Sequence, residues 1–289
     1  MPAILAISSQ VASGHIGLSA IVPALQSLGR NVIALPTVLL SNHPAHPHCS
    51  GVRVDPAELE KMFAALQANG RLADVGTVLT GYLPTVGHVD FTCSAIRHLK
   101  KARQTADAPL RIICDPILGD DPKGLYIAED AATAVRGRLL PLADAIMPNR
   151  FELSWLSGLP VNSMREAIAA ARSLGRTVTL ATSIPAPNPN SSFFSGPATG
   201  NSALATVLIT SEAARACLSP RHQLVPHGTG DLLSGLYAAE TSLEAPALGI
   251  ISARLQHVIS ESLGRPELSL ISASQTWQGL APLPVHEAL

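Results

Sequence analysis

The sequence predicts an α/β protein built on a mostly parallel sheet, and three observations lead there. Short apolar runs at Ala3–Ile7, Val75–Thr80, Leu110–Cys114 and Ala145–Met147 suit strands buried on both faces. Between them lie segments with apolar residues at helical spacing, such as Leu18, Ile21, Val22, Leu25 and Leu28. Polar residues stand just after several strands, at Asp115, Asn149, Glu152 and Thr182. In open α/β sheets that edge is where ligands bind.

The elements follow in order. Ala3–Ile7 is the first strand, and a polar loop Ser8–Gly17 follows it. The first helix stops at Gly29, and Asn31–Leu35 is the second strand. This strand–helix–strand opening implies a right-handed crossover between parallel strands. Asp55 caps a helix with Pro56 at its first position, and Leu59, Met62, Phe63 and Leu66 line one face. Val75–Thr80 ends at Gly81-Tyr82. Val89, Cys93, Ile96 and Leu99 mark a helix ending in Lys100, Lys101 and Arg103, charges that suit a helix C-terminus. Glu166–Leu174 is helical, and Thr177–Ala181 is the next strand. Ile184–Asn201 is irregular and proline-rich, and Ala203–Thr210 after it reads as a strand. A strand, a long loop and a strand suggest an antiparallel addition to one sheet edge. Neither an internal repeat nor an interdomain linker stands out, so residues 1–289 are read as one domain.

Composition narrows the function classes. Apolar residues are 47% of the 289 and charged ones 14%, which excludes a disordered chain. Twenty basic against 21 acidic residues leave no excess of positive charge for a nucleic-acid surface. The uncharged opening is broken by Ser8, Ser9, Gln10, Ser13, His15 and Gly17 and has no basic n-region, so it does not read as a signal peptide. No segment reads as a membrane span. Cys49, Cys93, Cys114 and Cys217 are widely spaced with no Cys-x-x-Cys pair, and they read as reduced thiols of a cytoplasmic protein.

The sharpest local signal is His227-Gly228-Thr229-Gly230-Asp231, followed by Leu232-Leu233-Ser234-Gly235. Gly-x-Gly allows a tight turn into a helix whose first N–H groups converge on one spot. Such an anion hole suits a transferring phosphoryl group, and Asp231 at its mouth can accept a hydroxyl proton. The same Asp also suits an ordinary helix start, for dipole reasons alone. A Walker loop is excluded because no Gly-Lys-[Ser/Thr] is present. The motif also lacks the Gly-x-Gly-x-x-Gly of a dinucleotide fingerprint.

Gly228-Thr229-Gly230-Asp231 resembles the signature of the ribokinase superfamily. Further segments resemble the pyridoxal kinases within it. These are Ser9-Gln10-Val11 with Gly14 and Gly17, Thr37-Val38 with Ser41-Asn42-His43, Thr80-Gly81-Tyr82, and Cys114-Asp115-Pro116 with Gly119-Asp120. Pro148-Asn149-x-x-Glu152 and Thr182-Ser183 continue the series, so the likeness runs in order along nearly the whole chain. It implies a ribokinase-like three-layer α/β/α sandwich with a mostly parallel central sheet and antiparallel edge strands. It implies ATP-dependent phosphorylation of the 5′-hydroxymethyl group of pyridoxal, extending to pyridoxine and pyridoxamine.

The resemblance also distributes roles. Asp231 is the general base, and the N–H groups around Gly228, Thr229 and Gly230 hold the developing charge. Asp115 and Glu152 organise Mg²⁺, in part through water, and K⁺ is a further expected cofactor. Asn149, Thr182, Ser183 and Thr229 contact the nucleotide. Asp120 and Tyr126 belong to a flap over ATP in the Gly119–Tyr126 loop. Ser9 and Tyr82 hold the pyridine ring, and Val11, Val38 and His43 complete that pocket. A homodimer is implied in the same way.

Bland readings stand beside these roles. Asp115-Pro116 also suits a strand end, Asn149 and Glu152 a capping box, and Tyr82 an ordinary packed aromatic. His43, His46 and His48 lack a clear fourth ligand for zinc. His15 and His227 flank glycine-rich turns and read as local hydrogen-bonders. The chain departs from the family at Gln10, where His is usual, at Pro44, where Thr is usual, and at Met147, where some members have Thr. Two alternatives follow. Hydroxymethylpyrimidine kinases share the Gly-Thr-Gly-Asp region, although their usual Gly-Gly-Ala-Gly-type loop is absent here. A catalytically silent vitamer-binding protein would bind without consuming ATP.

Overall fold

A computed structural model describes residues 1–103, 109–186, 203–240 and 245–288, with the side chains of 245 and 246 left out. The elements run β1 (Ala3–Val11), α1 (Leu18–Ser27), β2 (Val32–Leu40), β3 (Gly51–Arg53), α2 (Pro56–Ala68), β4 (Val75–Thr80), α3 (Val86–Ala102) and β5 (Arg111–Cys114). Then come β6 (Gly119–Asp120), β7 (Gly124–Leu125), α4 (Glu129–Ala134), β8 (Ala145–Ile146), α5 (Arg150–Ser157), α6 (Met164–Ser173), β9 (Val178–Ala186) and β10 (Ala203–Ile209). The chain continues through β11 (Ala214–Pro220), α7 (Thr229–Ala239), α8 (Ala245–Ser262), α9 (Leu270–Ser274) and β12 (Val285–Glu287).

The chain divides into two compact units. One holds Met1–Leu118, Leu125–Asp144 and His227–Ala239; the other holds Gly119–Gly124, Ala145–Pro226 and Glu240–Leu289. In the first, the strands run in the order β3-β2-β1-β4-β5. β2, β1, β4 and β5 are parallel, and β3 is antiparallel to β2. In the second, the order is β8-β9-β10-β11-β12. β8 and β9 are parallel, and the remaining pairs are antiparallel. The α/β class, the parallel strands and the antiparallel addition of β10 to β9 are as the sequence predicts.

Apolar side chains with under 2% exposure fill the first unit, among them Leu5, Ile7, Leu18, Ile21, Leu25, Leu35, Leu79 and Ile96. Helix α7 packs closely on α1, because Gly235 lets the helices approach. A Cβ there would lie 3.3 Å from the Cα of Ile21. Arg30 closes the far end of α7, donating from Nε to the carbonyl of Ala239 at 3.0 Å and from Nη2 to the same oxygen. In the second unit, Leu153, Ile168, Ala181, Ile184, Val207 and Ala216 form one buried cluster.

Three expectations need adjustment. The first strand extends to Val11 rather than stopping at Ile7. Ser8 pairs with Pro36 and Gln10 with Leu39, so Ser9 lies in a bulge. The second strand likewise extends to Leu40, which places Thr37 and Val38 in the sheet. The strand expected at Thr177–Ala181 runs instead over Val178–Ala186, which places Thr182 and Ser183 within β9; residues 187–201 of the proline-rich segment lie outside the described residues. No disulfide joins the four cysteines among the described residues; Cys93, Cys114 and Cys217 are buried and Cys49 is exposed. No helix among the described residues is long and apolar enough to cross a membrane.

Candidate active site

In the first unit the predicted base stands at the start of α7. Gly228 has φ 102°, a conformation that side chains resist, and a Cβ there would lie 1.9 Å from the carbonyl oxygen of His15. Glycine therefore lets the turn lie directly against the His15–Gly17 loop. The carbonyl of Gly228 accepts the N–H of Leu232 at 2.9 Å, opening the helix. Asp231 thus sits in the first turn, among N–H groups that a helix leaves unpaired.

The Asp231 carboxyl has two unusual properties. Its Oδ1 is buried with no hydrogen-bond partner. Burial pushes its pKa up to about 6, while the N–H groups of Gly17 and of Asp231 itself pull it back down. A carboxylate with an unoccupied buried acceptor and a pKa close to neutrality suits a general base.

The residues predicted for the acceptor pocket lie in the same unit. Gly17 packs so closely on Ser9 that a Cβ would meet the Ser9 carbonyl oxygen at 2.1 Å and its hydroxyl at 2.3 Å. Val11 donates its N–H to Ser19 Oγ at 3.3 Å and accepts from that hydroxyl at 2.7 Å. Tyr82 is fixed through its backbone. Its N–H donates to Ser8 Oγ at 3.1 Å, and its carbonyl accepts from Thr37 Oγ1 at 2.7 Å. Burial raises the Tyr82 phenol above its usual range. Val38 is 7% exposed on β2. Asp115, also buried, donates its N–H to the Thr80 carbonyl at 2.9 Å and so follows directly on β5.

His43 lies on the Ser41–Ser50 loop. Its Nδ1 accepts the N–H of Ala45 at 3.1 Å. Its ring stacks on that of His227, with centroids 3.8 Å apart and planes 11° from parallel. The stack joins residues from remote parts of the chain. Ser8, Thr37 and Thr80, all fully buried, were not singled out as site-builders. Their signal is a hydroxyl inside or just after an apolar strand, which the sequence does not separate from ordinary strand packing.

Of the residues predicted for nucleotide, Asp120, Asn149, Thr182 and Ser183 lie in the second unit, and Thr229 lies in the first. Asn149 and Glu152 form the capping box anticipated as the bland reading. Asn149 Oδ1 accepts the N–H of Glu152 at 3.0 Å, and Glu152 Oε2 accepts the N–H of Asn149 at 2.9 Å. The box also grips β6, because Asn149 Nδ2 donates to the Gly119 carbonyl at 2.8 Å and Gly119 N–H donates to Glu152 Oε1 at 3.4 Å. Asp120 follows, its Oδ1 buried without a hydrogen-bond partner. Thr182 joins the same end, donating its N–H to the Pro148 carbonyl at 3.0 Å. Ser183 is exposed and has φ 57°, which a non-glycine residue rarely adopts. It lies where β9 and β10 lose register.

The predicted flap divides. Asp120 lies on β6 in the second unit, while Tyr126, 44% exposed, belongs to the first. No group of three or more His, Cys, Asp or Glu side chains able to hold a metal occurs among the described residues. Asp115 and Glu152 are nevertheless oxygen donors of the kind Mg²⁺ takes. That ion keeps much of its water and binds phosphates, so one or two carboxylates suffice. Each carboxylate, taken in its own unit, is a donor of the type Mg²⁺ accepts.

Residues 52–251 match the family described as Phosphomethylpyrimidine kinase. A Pyridoxine/pyridoxal/pyridoxamine kinase of Bordetella bronchiseptica is 35% identical over 263 residues, covering 86% of this chain and 87% of its own. The chain belongs to the pyridoxal kinase family. A Pyridoxal kinase PdxY of Deinococcus radiodurans is 30% identical over 298 residues, covering 98% of this chain and 94% of its own. Among solved structures, pyridoxal kinase from Leishmania donovani in complex with ADP and pyridoxamine superposes with a TM-score of 0.86 at 28% identity, covering 99% of each chain. A phosphomethylpyrimidine kinase described as putative, from Bacteroides thetaiotaomicron, shares the fold at 20% identity and a TM-score of 0.83, covering 99% of this chain and 98% of its own.

Proposed function

We propose that this kinase transfers the γ-phosphoryl group of ATP to the 5′-hydroxyl of pyridoxal, and of related B6 vitamers, with Asp231 as the general base. The observation that carries the assignment of the base is the buried, unpartnered Oδ1 of Asp231 in the first turn of α7. The Leishmania relative's complex with ADP and pyridoxamine supports the choice of substrates.

Asp231 accepts the proton of the attacking hydroxyl, and the N–H groups of Gly228, Thr229 and Gly230 stabilise negative charge on the moving phosphoryl group. Ser9, Val11, Val38, His43 and Tyr82 orient the pyridine ring. Asn149, Thr182 and Ser183 take nucleotide phosphates, and Asp120 and Tyr126 cover ATP. Mg²⁺, when bound, neutralises phosphate charge, and Asp115 and Glu152 are the carboxylates assigned to it, in part through water. K⁺ completes the proposed cofactors. Catalysis is thus mainly positioning and charge stabilisation.

We read residues 1–289 as one kinase domain, working as a cytoplasmic homodimer. The near-complete mutual coverage with the Leishmania kinase supports the single domain.

The test is ATP-dependent formation of pyridoxal 5′-phosphate by the purified protein with Mg²⁺ and K⁺. Product should form with the wild-type chain and almost vanish with Asp231→Ala. Full turnover in that variant would remove Asp231 as base. A second reading, a hydroxymethylpyrimidine kinase, is favoured by the match of residues 52–251 to the Phosphomethylpyrimidine kinase family. Side-by-side turnover of the two alcohols separates them, and pyridoxal should be the better substrate.

A further inference from the structure

We infer that His227 is a positioning residue for the vitamer, acting through the ring of His43. The inference rests on the reading of His43 as part of the acceptor pocket. Four observations carry it.

First, the rings of His43 and His227 are nearly parallel at 3.8 Å, although the two residues come from remote parts of the chain. Second, His43 accepts at Nδ1 from the N–H of Ala45, which puts its ring proton on Nε2 and fixes the ring relative to its own backbone. Third, the loop that carries His43 is closed on itself. Ser41 donates its N–H to the Ser50 carbonyl at 2.7 Å, Ser50 returns its N–H to Ser41 Oγ at 3.0 Å, and Asn42 Nδ2 donates to the His48 carbonyl at 2.9 Å. The loop is therefore braced as a piece, and its stacked ring ties that piece to the turn before α7. Fourth, His227 immediately precedes Gly228, whose backbone is pinned against His15. The anchor for the loop is thus the same turn that presents the anion hole.

The consequence is a mechanical link between the pocket wall and the phosphoryl-transfer turn. His227 does not contact the reacting atoms in this scheme. It sets where His43 stands when the alcohol is oriented toward Asp231. Pro44 stiffens the chain just after His43 and removes one backbone donor there.

The test compares wild type with His227→Ala and His227→Phe, using pyridoxal and ATP as probes. His227→Ala should raise the KM for pyridoxal about three- to tenfold, the range expected from losing one ring pair. The KM for ATP should hold, and the loss should fall on KM rather than kcat. His227→Phe keeps a flat ring and should restore most of the pyridoxal KM. The His43 ring-proton resonances should move in His227→Ala as the neighbouring ring current disappears. An unchanged pyridoxal KM in His227→Ala would overturn the inference. A Phe variant as poor as Ala, or an equal rise in the KM for ATP, would overturn it too. Wild-type protein that makes no phosphorylated vitamer would instead overturn the functional reading. Turnover by wild type with no His227 effect separates the two failures.

Discussion

The carbonyl of His15 occupies the place where a side chain at Gly228 would have to begin. The 1.9 Å approach and the φ of 102° act together, since one forbids the Cβ by contact and the other by backbone strain. Gly228→Ala should therefore lower the melting temperature and remove turnover. Strain of this kind costs about 1–3 kcal/mol before any clash is counted. Gly230 meets nothing within 4 Å and has no positive φ, so Gly230→Ala should melt with the wild type. Thermal unfolding of the two variants side by side checks the contrast.

The Asp231 carboxyl, raised to about 6 by burial, ties activity to pH. A base must be ionised to work, so kcat/KM for pyridoxal should climb through pH 6 and level off above it. The stability effect has the opposite sign from that of a salt-bridged aspartate. The folded state binds the proton more tightly than the unfolded chain, so this group weakens the fold as pH rises from about 4 through 6. Asp231→Asn should accordingly melt higher than wild type at pH 8, and the gap should close toward pH 4. A variant that melts lower than wild type at pH 8 would contradict the burial cost.

Glu152 holds two backbone N–H groups at once, those of Asn149 and Gly119. Glu152→Gln keeps the shape and one acceptor oxygen, so it should fold. Its Mg²⁺ requirement should rise several-fold, because one of the two proposed carboxylates is neutral. Asn149→Ala removes the N-cap and the tie to Gly119, costing about 1 kcal/mol in stability and raising the KM for ATP. Magnesium titrations of activity and melting curves separate the two effects.

Arg30 is a structural counterpart at the far end of α7. Its guanidinium donates twice to the Ala239 carbonyl, a charge-assisted bond at a helix C-terminus. Arg30→Ala should cost about 1–3 kcal/mol, read as a lower urea midpoint with the unfolding slope unchanged.

Much of this was legible before the structure. The buried strands announced themselves because Ala3–Ile7 and Val75–Thr80 are apolar runs that end in polar or glycine-rich turns. The Asp55–Pro56 start of α2 and the Gly29 stop of α1 were readable because cap chemistry is local. Strands β11 and β12 escaped notice. β11 buries mainly Ala214, Ala216 and Cys217, small side chains that give a faint alternating signal, and β12 has only three residues. The capping box of Asn149 and Glu152 was visible as a spacing, but its grip on Gly119 was not, because that bond depends on folding. The His43–His227 stack is beyond any local reading for the same reason.

The first unit's route through the chain has a consequence for its birth on the ribosome. Residues 1–144 emerge without α7, which returns to them only at His227–Ala239. At about 5–20 residues per second, the intervening stretch takes roughly 4–16 s to synthesise. During that interval the nascent first unit lacks the helix that packs on α1, leaving the face around Ile21 and Ala24 uncovered. The same delay withholds Asp231, so the first unit acquires its proposed base only after that interval.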